Sequence, residues 1–217
     1  MSKKIYLISG LGADYRMFQN LDLSGFDCDY IEWIEPLEKE TLVDYSRRLT
    51  QQIQVKNPIL IGLSFGGLIA VEISKLIEVE KTILISSMKS KLDIPWYYRA
   101  LAELKIHKAF PFELVKKSNS LNNWLFGAST TNEKLLLKET IVNTNLTFLK
   151  WAINIIITWS SESIPENILQ IHGNKDRLLP LSNVNGASVI KDGGHFMVLN
   201  KSGEVSKLIR NSLISVK

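Results

Sequence analysis

The chain of 217 residues carries a formal net charge of +4, with 45% apolar and 22% charged residues. That is the balance of a soluble globular protein, with enough chain for one substantial core but not comfortably for two domains. Its basic residues gather only in short clusters, Lys3-Lys4, Arg47-Arg48 and Lys116-Lys117, which argues against the extended cationic stripe of a nucleic-acid binder.

The single cysteine, Cys28, rules out an intramolecular disulfide, and three histidines without a Cys–His cluster at ligand spacing argue against a metal site. The apolar run in "MSKKIYLISG" is too short for the core of a secretory signal. The longest apolar stretch, "WAINIIITW" at 151–159, is interrupted by Asn154 and falls well short of the about 20 residues of a membrane span. The expectation is a cytoplasmic protein with no membrane segment.

In chain order, "KIYLIS" (4–9) reads as a buried strand. The turn "GLGADYRMFQNL" then leads into a short helix, with Asp14 placed to cap it. "DCDYIEW" (27–33) reads as the next strand and holds Cys28 as a buried, inert thiol. In "ETLVDYSRRLTQQI" (40–53), Leu42, Tyr45, Leu49 and Ile53 recur at helical spacing. "PILIG" (58–62) is a strand, "FGGLIAVEISKLI" (65–77) a helix and "KTILISS" (81–87) a strand.

Residues 89–160 then read as mostly helical and hold four of the five tryptophans, Trp96, Trp124, Trp151 and Trp159. Strands return with "ENILQIHG" (166–173) and "ASVIKDGG" (187–194), and "VSKLIRNSLI" (205–214) closes the chain as a helix. Short strands that are apolar throughout, separated by helices, predict a parallel sheet covered on both faces. The expected architecture is a single α/β domain over 1–217, with about six strands and a helical insertion at about 89–160.

One segment carries chemistry. "GLSFG" (62–66) matches Gly-x-Ser-x-Gly between a predicted strand and a predicted helix. A sharp strand-to-helix turn forces its corner residue into a strained conformation that lifts the side chain above the sheet. Gly62 and Gly66 remove the β-carbons that would clash across such a turn, and the helix N-terminus favours developing negative charge. Ser64 is therefore the candidate nucleophile.

A serine hydroxyl needs a base, and the base needs an orienting acid. His107, in the lysine-rich "ELKIHKAF", reads as a surface residue, and His172, within a predicted strand, as buried structure. His195 follows a strand and two glycines, at the carboxyl end where parallel sheets bind ligands. Asp176, in "HGNKDRLLP", also follows a strand, whereas Asp192 in "KDGG" reads as a turn residue.

The order serine, acid, histidine is that of the α/β-hydrolases. Through "SGLGAD", "GLSFGG", "HGNKDRLLP" and "GGHF", nearly the whole chain resembles that family. The resemblance implies Ser64 as nucleophile, His195 as general base and Asp176 as its orienter. It also implies an oxyanion hole from the backbone N–H groups of Leu11 and Phe65, although the family often has His-Gly where this chain has Ser9-Gly10. The insertion falls where the family carries a helical lid, and its aromatic content predicts an apolar pocket. Met197 and Trp96 are candidate wall residues, while the stronger reading of any single tryptophan is as part of the insertion's own core.

The implied activity is hydrolysis of a small to medium carboxyl ester through an acyl-enzyme, without cofactor or metal. The same triad also serves thioester, amide and carbon–carbon hydrolysis or acyl transfer, and a receptor-like member with slow turnover is the alternative from another class. Nothing in the sequence selects an oligomeric state.

Overall fold

The computed structural model describes residues 3–105 and 120–214. Strands β1 (Lys4–Ile8), β2 (Asp27–Tyr30), β3 (Ile59–Leu63), β4 (Lys81–Ile85), β5 (Ile168–Gly173) and β6 (Ser188–Ile190) form one sheet in the order β2-β1-β3-β4-β5-β6. Every pairing between neighbours is parallel.

Successive side chains of a strand point to opposite faces, and both faces here are covered, which is why the strands are apolar throughout. Ile5, Leu7, Ile59 and Ile61 pack with Met17, Phe18 and, from the C-terminal helix at Ser202–Ile214, Val205 and Ile209. On the other face Tyr6, Ile8, Leu60 and Leu84 pack with Tyr45 and Leu49 of α1 (Leu42–Leu49) and with Leu68 and Ile69 of α2 (Phe65–Leu76). Helix α2 is buried from Phe65 to Ile73, the signature of a helix enclosed on all sides rather than one lying at the surface. Each isoleucine or leucine buried this completely contributes about 1.5–3 kcal/mol.

Helix α1 and strands β2 and β6 are shorter than the pattern predicts, β6 keeping only Ser188–Ile190 of the run 187–194. Helix α1, capped by Thr41 whose hydroxyl accepts the Asp44 N–H, gives way at Thr50 to a tighter 3-10 turn, so Ile53 is extended. Strand β2 ends at Tyr30 because the chain beyond Ile31 turns to side-chain partners: Gln52 bonds both backbone groups of Glu32, and the Tyr45 hydroxyl both of Ile34. On this edge strand Cys28 is only half-buried, and burial pushes its thiol pKa up.

Between β4 and β5 lie α3 (Trp96–Glu103), α4 (Ser120–Phe126), α5 (Thr131–Asn143) and α6 (Leu146–Thr158). A capping box joins Thr130 to Glu133 at the start of α5, and Asn145 caps α6. Helix α6 is fastened to the sheet layer by two indoles. Trp151 donates to Glu40 O at 2.9 Å and packs 4.4 Å from the Tyr45 ring, and Trp159 donates to Glu72 Oε1 at 2.8 Å. These tryptophans anchor the insertion to α1 and α2, so the reading of them as its own core is corrected. His107 lies outside the described residues. The chain closes with α7 (Met197–Asn200) and α8 (Ser202–Ile214). Among the described residues no helix is long and apolar enough to cross a membrane.

Candidate active site

Strands β1 and β3 are the neighbours at which the strand order reverses, and Ile8 stands in register with Gly62. Their following loops therefore open side by side, at the position where open parallel sheets bind ligands. Ser64 forms the corner after β3, with φ 51° and ψ −120°, a conformation costly for a residue with a β-carbon.

The corner is held from several sides. The Ser64 N–H donates to Ile85 O at 2.9 Å, and its carbonyl accepts the Gly67 N–H at 2.9 Å and the Ser87 hydroxyl at 2.6 Å. A β-carbon on Gly62 would stand 2.5 Å from Gly66 O, and one on Gly66 only 2.2 Å from Ser9 O. Glycine at both places lets α2 start directly against β1 and β3.

His195 bridges the serine to the acid. Its Nε2 lies 2.8 Å from Ser64 Oγ and its Nδ1 2.8 Å from Asp176 Oδ2. The second Asp176 oxygen accepts the N–H groups of Leu178 at 3.0 Å and Leu179 at 2.9 Å. Burial alone would raise the Asp176 pKa, but the adjacent His195, the Leu179 N–H and His172 outweigh it and hold the carboxyl below its ordinary 3.8. The His195 loop is itself pinned: Phe196 N–H donates to Phe126 O at 2.9 Å, and the Phe126 ring meets the imidazole edge-on at 5.5 Å. Asp192 is an exposed turn residue with φ 59°, paired with Lys175 at 2.7 Å. His172 is fully buried, its Nε2 2.7 Å from Leu179 O.

The turn after β1 is braced where the sequence departs from the family pattern. Ser9 Oγ and Trp33 Nε1 both donate to Ala13 O, the latter at 3.0 Å, while Ala13 N–H donates to Gly10 O at 2.9 Å. Arg16 joins Asp14 to Glu139 of α5. Leu11 and Phe65 both border the cavity over Ser64, and among the described residues the backbone N–H of neither has a partner.

That cavity has a volume of about 370 Å³. Ser64 and His195 lie at its floor, and the insertion supplies Tyr98, Phe126, Ile141, Leu149 and Ile153. None of the described lining residues is Asp, Glu, Lys or Arg. Two of its hydroxyls are already engaged: Tyr98 donates to Leu178 O at 3.1 Å, and Thr144 to Thr140 O at 2.6 Å. Burial pushes the Tyr98 phenol pKa up to about 12.

The two expected wall residues lie elsewhere. Trp96 is 70% exposed at the start of α3; Tyr98, two positions on and roughly 200° round the helix, faces the cavity instead. Met197 is fully buried in the hydrophobic core, and the neighbouring His195 and Phe196 border the cavity. Sequence reasoning missed Tyr98, Phe126 and Thr144, because helical spacing in an insertion apolar on several sides does not reveal which side meets the serine. Among the described residues no group of three or more His, Cys, Asp or Glu could hold a metal ion.

Sheet order, elbow and relay together define a chain with the α/β-hydrolase fold. Solved structures agree across its whole length. A hydrolase from Oleispira antarctica, olei00960, matches with a TM-score of 0.73 at 16% identity, over 99% of this chain and 92% of that one. An esterase, EaEST, from Exiguobacterium antarcticum gives the same TM-score of 0.73, identity of 16% and coverage of 99% and 92%. A bromoperoxidase from Bacillus anthracis matches with a TM-score of 0.68 at 17% identity, over 98% and 92%. The sequence matches no protein-family model and no curated protein.

Proposed function

We propose that this protein is a serine hydrolase of small to medium carboxyl esters, acting through an acyl-enzyme. The carrying observation is the relay from Asp176 through His195 to Ser64, with both contacts at 2.8 Å, at the floor of an uncharged apolar cavity.

Ser64 Oγ attacks the ester carbonyl as its proton passes to His195 Nε2, and the charge on the carbonyl oxygen meets the Leu11 and Phe65 N–H groups. The tetrahedral species collapses, and Nε2 returns the proton to the departing alkoxide. Water then attacks the acyl-enzyme with His195 again as base, releasing the acid and restoring Ser64. Asp176 holds the imidazole in the tautomer that leaves Nε2 free to accept. Helices α3 to α6 serve as a lid whose inner face binds the apolar part of the substrate.

Two properties of the cavity narrow the substrate. With no lysine or arginine among its described lining residues, it offers no cationic side chain to a carboxylate or phosphate. Each methylene buried in such a wall is worth about 0.8 kcal/mol, or about fourfold in kcat/KM. The test is hydrolysis of p-nitrophenyl esters of graded acyl length by wild type and by folded Ser64→Ala. Turnover that rises with chain length and falls at least about 10³-fold in the variant is expected. Full activity in Ser64→Ala would overturn the mechanism, and an inactive wild type would overturn ester hydrolysis.

A further inference from the structure

A second imidazole reaches the carboxylate that holds His195. His172 stands at the carboxyl end of β5, 0% exposed, and its Nε2 lies 2.7 Å from Leu179 O and 3.6 Å from Asp176 Oδ2. A carbonyl oxygen only accepts, so Nε2 carries the proton and Nδ1 is bare. Among the described residues that buried Nδ1 has no partner. An apolar side chain of similar volume would fill this space without leaving a ring nitrogen unsatisfied. The imidazole is therefore poorly explained as filling, and well explained by its one donated hydrogen bond.

That bond closes a ring around the acid. Leu179 receives the His172 proton on its carbonyl and gives its own N–H to Asp176 Oδ1 at 2.9 Å. The Asp176 N–H in turn donates to Gly173 O, next to His172, at 3.2 Å. The loop carrying Asp176 is thus tied to β5 at both ends, and its far tie is His172. At 3.6 Å, against 2.8 Å for His195 Nδ1, the second ring favours the carboxylate without displacing the first.

We propose that His172 is a positioning residue for the hydrolytic reaction: its Nε2–H holds the loop between Gly173 and Leu179 so that Asp176 Oδ2 points at His195 Nδ1. This rests on the reading of Asp176 as the orienter of His195. The test compares His172→Leu with His172→Gln, whose amide reaches the place of Nε2, in two measurements. One is kcat and KM on an ester that wild type turns over. The other is the low-field proton resonance of the His195–Asp176 hydrogen bond, assigned by its loss in Asp176→Asn.

His172→Leu is expected to lower kcat about tenfold or more, with KM within about twofold, and to shift or broaden the low-field proton. His172→Gln should restore both, with kcat within about threefold of wild type. If His172→Leu does not fold, His172→Asn replaces it, since its amide reaches only the place of Nδ1. Wild-type kcat and proton signal in His172→Leu would overturn the proposal, as would a glutamine variant no better than the leucine one. The resonance needs no substrate, so it tests the positioning even if ester hydrolysis is the wrong reading, an error that an inactive wild type would expose separately.

Discussion

A β-carbon on Gly66 would stand 2.2 Å from the carbonyl oxygen of Ile8, well inside contact distance and against backbone rather than a movable side chain. The first turn of α2 thus lies directly on the end of β1, and that contact sets the separation between Ser64 and the turn bearing Leu11. Gly66→Ala must push the two apart. It is expected to cost at least about 3 kcal/mol, the upper end of overpacking, and to lower the thermal midpoint by roughly 6–12 °C. Esterase activity should fall further than the loss of folded protein accounts for. A variant that melts with wild type would show that the junction is slack.

The strain at Ser64 makes the opposite prediction for stability. A side chain at φ 51°, ψ −120° costs about 1–3 kcal/mol, and glycine removes that cost while adding about 0.4–1 kcal/mol of unfolded-chain entropy. Ser64→Gly should therefore be inactive yet more stable by about 1 kcal/mol, melting some 2–4 °C higher. Calorimetry on purified variant and wild type decides it; an equal or lower midpoint would mean the corner is not strained.

The sheet and the elbow were legible in the sequence for a shared reason. Strands buried on both faces leave uninterrupted apolar runs such as "PILIG", and the elbow needs glycine at fixed offsets from its serine, so both constraints are local and leave short patterns. The cavity wall has no such pattern. Tyr98 faces Leu178 while Trp96, on the same helix, faces solvent, a choice made by where α3 docks rather than by its composition. Trp151 and Trp159 were equally opaque, because their partners Glu40 and Glu72 lie 111 and 87 positions away. Leu11 and Phe65 could be named only through the family resemblance; the brace on Ala13 from Ser9 and Trp33 carried no signal that a reader of one sequence could use.

Ile153 offers a route to change specificity without touching the relay. It lines the cavity from α6, one turn before the buried Ile157. Ile153→Trp should fill part of the about 370 Å³ and shorten the longest ester accepted. Hydrolysis of p-nitrophenyl acetate is expected within about threefold of wild type, while each methylene that no longer fits forfeits about fourfold in kcat/KM. A chain-length profile that keeps its maximum would place the acyl group away from α6.

Acid should weaken the fold in two stages, through groups that meet in the same place. Burial holds His172 below its ordinary 6.5, with Asp176 only partly offsetting it. Above 6.5 the ring is neutral in both folded and unfolded chains, so its contribution is fully present. As pH falls through 6.5 the unfolded chain takes up a proton that the folded chain refuses, and stability drops until the depressed folded value is reached. Asp176 acts later: held below 3.8 despite its burial, it contributes stability that is present above 3.8 and lost below it. A single refused proton costs up to about 1.4 kcal/mol per pH unit, or roughly 3–6 °C of thermal midpoint. Melting wild type and His172→Gln in steps from about pH 7.5 to about pH 5 should give a falling curve for the first and a flatter one for the second. Parallel curves would mean that the folded chain protonates His172 as easily as the unfolded one does, and that its burial carries no penalty for charge.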